Sequence, residues 1–445
     1  MKNTFIVSCP IDTYSGYGAR SRDFVKSLVE LDKYDVKILS QRWGNTAWGF
    51  IEDHEEEWGF LRPLVINQLT EQPDIWCQIT VPNEFQRIGK YNIGLTAGIE
   101  TTVCAPQWIK GLNNMDLNLV SSKHAKRVFE TTAYEEKNKQ GQITGQVKLE
   151  KPVHVLLEGA NLDVYKPLSR KELKYKDLYN DINSIPEDFA FLFVGHWMQG
   201  DIGEDRKNIG LLIKAFYEMF KNKKKVPALI LKTALTNASN VGRREIQARI
   251  HNIRNSVDAK KMPNVYFIQG DFSDVEMNEL YNHPKIKSMV SLTKGEGFGR
   301  PLLEFSLTNK PVVASNWSGQ TDFLNPEFTA LVKGTTKPIH KSAQIKDMLV
   351  EGSQWFAPDL QHGHMMLNDV YSNYKEWQTK AKRQGYYSRT NFSFEKMKEI
   401  LGEILDKNVP EMAKKVELNL PKLKKTKNTS PELPKLKLPK LKKVN

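Results

Sequence analysis

At 445 residues, with 40% hydrophobic and 10% aromatic side chains, the chain has the length for two or three domains and ample apolar content for packed cores. No apolar run approaches the ~18 residues that a bilayer-spanning helix needs, and the start MKNTFIVSCPID holds too short an apolar core for a signal peptide, so a cytoplasmic protein without a transmembrane segment is expected. Cys9, Cys77 and Cys104 are scattered and lack metal-ligand spacing, which reads as reduced, buried thiols and offers no metal site. The formal charge of +13 is uneven: eleven lysines against Glu417 and Glu432 lie between Lys414 and Asn445, so the basicity belongs mostly to a tail.

Short β-like runs bounded by turn residues alternate with helical patterns along the chain. Six are read at Thr4–Ser8, Asp35–Leu39, Asp74–Val81, Tyr91–Thr96, Asp116–Ser121 and His154–Leu157. Six more follow at Phe189–Gly195, Pro227–Thr233, Asn264–Gln269, Ser288–Leu292, Pro311–Ser315 and Thr329–Val332. This alternation predicts an α/β protein of two facing, Rossmann-like, doubly wound domains, with a ligand cleft between them at the carboxyl ends of their strands. The segments read as 1–166 and 167–385 for the two domains, with a hinge near Glu158 to Pro167. A last helix takes 386–410 and the tail 411–445.

The loop after the first strand carries Ser15-Gly16-Tyr17-Gly18 ahead of a helix beginning near Arg20. Such a turn can hold a phosphate or a sugar, or be only a tight turn. Thr131 to Pro152 is polar with little periodicity and is expected to end a helix and cross the surface. Arg206 and Lys207 stand just before the helical run NIGLLIKAF, where cations oppose the helix dipole and call for an anion; an exposed first turn is the plainer reading. Strand ends bring Lys232 and Thr233, then Gly270, Asp271 and Phe272, to the cleft edge.

Lys294 to Gly319, KGEGFGRPLLEFSLTNKPVVASNWSG, reads as loop, helix, strand. Glu296 lies in its glycine loop and Glu304 about one turn inside the helix, so a ligand at the helix start meets both. Ala343 to Asp406 is read as helical, WFAPDL included, with Ser393 as an N-cap. The tail repeats LPKLK at Leu420, Leu433 and Leu438. It is expected to be disordered, and to dock on an acidic protein or another polyanion such as nucleic acid, or merely to aid solubility.

The pattern Gly-Glu-Gly-Phe-Gly, a Pro, the second Glu and then Pro-Val-Val-Ala-Ser resembles the signature of retaining glycosyltransferases of the GT-B architecture, family 4 (group 1). Further stretches that look like this family are NIGLTAGIE, LNNMDLNLVSS, HVLLEGANLDVYKP, Lys207 and the Phe392-Ser-Phe-Glu start of the last helix. One departure stands out: His196 follows Val194-Gly195, where relatives commonly carry an arginine.

The resemblance implies an N-terminal acceptor domain, a C-terminal donor domain, and a last helix that crosses back to the first. It implies transfer of a hexose from a nucleoside-diphosphate sugar to an acceptor hydroxyl with retention, the acceptor being a glycan or other cell-surface saccharide. Lys207, with Arg206 or His196, would then meet the diphosphate beside the N–H groups of Gly297, Phe298 and Gly299. Glu296 would accept from sugar hydroxyls and Glu304 from the ribose. Gly16 and Gly18 would close over the donor, Lys232 and Phe272 would edge the base pocket, and Glu100 would position the acceptor or act as a base. Neither a cofactor, nor a metal, nor a protein nucleophile is implied. Three alternatives stay open: a glycosyltransferase acting on modified bases in DNA, phosphorolysis or epimerisation on the same fold, and a non-catalytic nucleotide-sugar-binding protein.

Overall fold

The computed structural model describes residues 2–138, 140–235, 239–345 and 348–412, of which Lys2–Pro410 form one compact unit. The disordered tail expected from the sequence falls almost wholly on residues 413–445, outside those described.

The first half supplies β1 (Asn3–Cys9), β2 (Tyr34–Ser40), β3 (Val65–Ile66), β4 (Ile75–Ile79), β5 (Tyr91–Thr96) and β6 (Leu117–Val120). A hairpin of β7 (Ala133–Lys137) and β8 (Ile143–Lys148) follows, then β9 (Val153–Val155). Seven of these form one sheet in the order β3-β2-β1-β4-β5-β6-β9, parallel throughout. Phe5, Val7, Ile75, Cys77, Ile93, Leu95, Leu117 and Leu119 are fully buried. A parallel sheet is covered on both faces, so the central strands β1 and β4 read as mostly apolar, buried runs, whereas β2, YDVKILS, leaves Asp35 exposed. The three cysteines are free and buried, and burial pushes the Cys9 and Cys104 thiols up to about 12.

The second half supplies β10 (Ala190–Val194), β11 (Ala228–Lys232), β12 (Val265–Ile268), β13 (Ile286–Ser291), β14 (Val312–Ser315) and β15 (Ala330–Val332), paired as β12-β11-β10-β13-β14-β15. Alternate residues feed two cores. Leu192, Ile230, Met289 and Ala314 join Leu303 and Phe305 of the helix Arg300–Ser306 on one face. Phe191, Leu229, Val290 and Val313 join Leu212 and Phe216 of the helix Ile209–Phe220 on the other. The period of two along each strand is what sorts them.

Three segments differ from the sequence reading. The polar stretch after Thr131 is the antiparallel hairpin β7–β8, whose mostly exposed faces leave no apolar alternation to read. Within the expected helical run, Gln354–Pro358 is a strand, β17, paired antiparallel with β16 (Gly334–Pro338). The first helix spans Gly16–Leu31 rather than starting near Arg20, because the Ser15 hydroxyl caps it, accepting from Gly18 N.

Ser393 caps the last helix, Phe394–Asn408, which pairs with the helix Gly16–Leu31 through Lys398–Glu30 and with Lys33, just past that helix's end, through Asp406, each at 2.6 Å. Among the described residues, no helix is long and apolar enough to cross a membrane.

Candidate functional site

In each sheet the strand order reverses beside the first strand: β1 lies between β2 and β4, and β10 between β11 and β13. Loops leaving the carboxyl ends at such a reversal diverge and leave a crevice. The loops after β1, β5, β10 and β13 carry most of the residues singled out from sequence.

Four of them form one ionic cluster across the two halves. Lys207 Nζ donates to both Glu296 carboxylate oxygens at 2.8 Å. Arg206 Nη1 lies 2.8 Å from Glu100 Oε1 and 3.4 Å from Glu296 Oε2, and donates to the Gly295 carbonyl at 2.8 Å. Burial pushes the Glu296 carboxyl upward, but Lys207 and Arg206 more than offset this and hold it below the usual value. Arg206 stays strongly basic, because Glu100 and Glu296 outweigh its own burial.

Backbone contacts fix the loop that carries Glu296. Glu296 N donates to Ser318 Oγ at 2.8 Å, and Gly319 N donates to the Glu296 carbonyl at 3.0 Å. A Cβ on Gly295 would stand 2.4 Å from Glu100 Cβ, so only glycine lets the two loops meet. Gly299, at φ +100°, turns the chain into the helix Arg300–Ser306, and Phe298 anchors the turn against Phe323.

His196 lies near Lys207 in the loop after β10. Loss of hydration, with the charge of Lys207 next, lowers its pKa below the ordinary imidazole value. The ring is therefore neutral at neutral pH, and Arg206 supplies the second fixed cation of the cluster. Lys232 Nζ donates to the Gly270 carbonyl at 2.5 Å and sits 4.6 Å above the Phe272 ring, so these two also meet.

Glu304 lies apart from the ionic cluster. It accepts from Arg300 Nε at 2.9 Å and faces Tyr281 Oη at 3.4 Å; burial pushes its carboxyl up to about 8 against the pull of Arg300. Arg300 reaches across to Asp23 on the helix Gly16–Leu31 at 2.5 Å and lies 3.9 Å from Glu158. The sequence reading missed Arg300 and Asp23. The i, i+4 spacing of Arg300 to Glu304 was a usable signal for half of this pair; the reach to Asp23 had none.

Of the first-loop glycines, Gly16 opens onto free space, whereas a Cβ on Gly18 would stand 2.3 Å from the Thr13 carbonyl. The N–H of Gly18 is taken by Ser15. Between them Tyr17 shares a hydrogen bond with Thr96 Oγ1 at 3.0 Å, accepts from Ala97 N at 3.1 Å and stacks on Trp43 at 4.0 Å, which ties the first loop to the loop after β5. Among the described residues, no group of three or more His, Cys, Asp or Glu side chains is placed to hold a metal ion.

Residues 186–354 match the family described as glycosyl transferases group 1. The matched segment runs from the start of the second sheet through the Glu296 loop to the hairpin β16–β17. No curated protein matches the chain.

Solved structures match over nearly its whole length. HepE of Anabaena in complex with UDP and glucose aligns with a TM-score of 0.58 at 14% identity, covering 91% of this chain and all of that one. Sucrose-phosphate synthase of Thermosynechococcus elongatus gives 0.59 at 13% identity, covering 92% and 99%. The α,α-trehalose 6-phosphate synthase of Burkholderia multivorans gives 0.57 at 11% identity, with 92% and 99% covered. At such identities the likeness is one of fold, and that fold is the two-sheet GT-B architecture.

Proposed function

We propose that the chain is a retaining, family 4 type glycosyltransferase that moves a hexose from a nucleoside-diphosphate sugar to an acceptor hydroxyl. The observation that carries the reading is the cluster of half-buried Arg206 and Lys207 on buried Glu296, in the crevice between two parallel sheets. Buried ions are costly unless paired, and a pair of adjacent cations held there by carboxylates is the arrangement a diphosphate leaving group requires. Negative charge grows on that group as the glycosidic bond breaks, and preorganised cations stabilise it without reorganisation.

In this reading Lys207 and Arg206 bind the diphosphate beside the Gly297 to Gly299 backbone, and Glu296, released from Lys207, accepts from sugar hydroxyls. Glu304 takes the ribose hydroxyls once Arg300 yields one carboxylate oxygen. Lys232 and Phe272 edge the base, Gly16 gives the first loop room to close over the donor, and Glu100 orients the acceptor. UDP-glucose is the first donor to try, since HepE of Anabaena has been crystallised with it. A glycan or other cell-surface saccharide is the acceptor class proposed, with modified DNA bases as the rival because of the basic tail.

The test is nucleotide release from UDP-glucose, GDP-mannose and UDP-N-acetylglucosamine, with and without glycan and DNA acceptors. Release of one nucleotide on adding one acceptor is expected, with retention seen in the anomeric configuration of the product. Lys207→Ala is expected to lower kcat by about 10²-fold or more, and Glu304→Ala to weaken donor binding. Wild-type rates in both variants at saturating donor would refute the assignment.

A further inference from the structure

A second cavity, of about 720 Å³, opens behind the Glu296 loop, between the segment after β10, the hairpin β16–β17 and the start of the helix Leu360–Ser372. None of the ionic-cluster residues lines it. Its inner wall is Lys294, the residue before Gly295, only 5% exposed. Buried ammonium groups are ordinarily paired closely with an anion. Lys294 Nζ instead stands 3.9 Å from the Glu204 carboxylate, with the Trp355 ring centroid at 5.4 Å.

Burial lowers the pKa of Lys294; Glu204 and Asp205 pull it back only in part, and the positive charge of Lys337 opposes protonation further. Lys337 and Lys341 stand exposed on the same rim. The other carboxylate of the lining, Asp359, is engaged in capping its helix, accepting from Gln361 N and His362 N. Lys294, Lys337 and Lys341 thus all line a space in which Glu204, 3.9 Å from Lys294, is the nearest carboxylate to the buried ammonium group. The lining is apolar in part: it includes Leu211 and Ile202, the latter 59% exposed.

We propose that this cavity binds a phosphorylated small molecule of sugar size, its phosphate among Lys294, Lys337 and Lys341 and its body against Ile202 and Leu211. A monoanion without a body would leave Ile202 and Leu211 wet, and an uncharged sugar would leave Lys294 without a close anion. Lys294 joins the site to the crevice: its N–H donates to the Arg206 carbonyl at 2.8 Å, and its carbonyl accepts from Phe356 N at 3.1 Å.

Calorimetric titration of the full chain with glucose 6-phosphate and with glucose tests this. Glucose 6-phosphate is expected to bind and glucose not. The double variant Lys337→Ala/Lys341→Ala, both positions being exposed and its folding checked by thermal melting, is expected to weaken glucose 6-phosphate binding at least tenfold. Lys207→Ala is expected to leave it unchanged. Equal affinity in the double variant, loss of binding in Lys207→Ala instead, equal binding of glucose, or no binding by the wild type at millimolar concentration would each overturn the proposal.

Discussion

Two glutamates eight positions apart on one loop and helix have opposite electrostatic settings, and each setting follows from its cations. Glu296 meets Lys207 at 2.8 Å through both oxygens, with Arg206 behind, and stays ionised although buried. Glu304 has Arg300 on one oxygen only, but Arg300 is shared with Asp23 and Asp274 adds repulsion, so burial prevails and its pKa rises from 4.5 to about 8. An acid whose pKa is raised by folding favours the fold while protonated. Its contribution is fully present below about 4.5 and is lost as pH rises through about 8. Glu304→Gln keeps the neutral form at every pH. The variant is therefore expected to gain stability relative to wild type as pH goes from 5 to 8, by roughly 1 kcal/mol for each pH step, and to hold that gain at pH 9, as read from melting curves. A constant difference between the two proteins across that range would show that Arg300 keeps Glu304 ionised throughout.

At the scale of elements, the first turn of the helix Gly16–Leu31 separates a structural glycine from one free for a ligand. Gly18→Ala would drive a methyl group to 2.3 Å from the Thr13 carbonyl; it is expected to cost about 1–3 kcal/mol, read as a lowered melting temperature. Gly16→Ala meets nothing within 4 Å and is expected to melt like wild type or slightly higher, while weakening UDP binding if this loop closes on the donor. Similar losses of stability in both variants would contradict this division.

Elements of this kind also show what the sequence could and could not reveal. Most strands of the two large sheets were legible as short, largely apolar runs bounded by turn residues; only the two-residue β3 was too short to register. The hairpin β7–β8 was not, since Ala133, Glu135, Glu136 and Lys137 all face water. The strand at Trp355 and Phe356 was read as helix because its apolar residues are adjacent rather than alternating, and its partner β16, GTTKP, has no apolar pattern. In the site, the Glu296 loop, Arg206 and Lys207 were visible as residue types at the right strand ends. Contacts that join the halves, such as Asp23 to Arg300, depend on packing over long sequence separations and leave no local trace.

Over the whole molecule, those contacts determine how the two sheets face one another. Arg206 to Glu100 at 2.8 Å, Arg300 to Asp23 at 2.5 Å, Trp317 Nε1 donating to the Glu100 carbonyl at 3.0 Å and Lys123 N donating to Asp322 at 2.8 Å all cross from one half to the other. The chain also returns to the first half in its last helix, which is held there by the Lys398–Glu30 and Lys33–Asp406 ion pairs. In the proposed reading a ligand entering the crevice competes for Arg206 and for the Glu304 carboxylate that Arg300 holds, so binding and the interface between the halves would draw on the same two ionic groups. Asp23 is the partner whose removal tests this without touching the proposed donor contacts. Breaking a buried ion pair from one side costs about 3–5 kcal/mol when the remaining charge is left alone, but Arg300 keeps Glu304 and, more distantly, Glu158. Asp23→Asn is therefore expected to cost less, about 1–2 kcal/mol by melting. It is also expected to speed hydrogen exchange in the helix Gly16–Leu31 and around Arg300, and to enlarge the radius of gyration in solution, since the halves lose one tie while the hinge and the last helix persist. Unchanged exchange and radius, alongside a lowered melting temperature, would mean that the Asp23 pair stabilises its own helix and leaves the approach of the two sheets to other contacts.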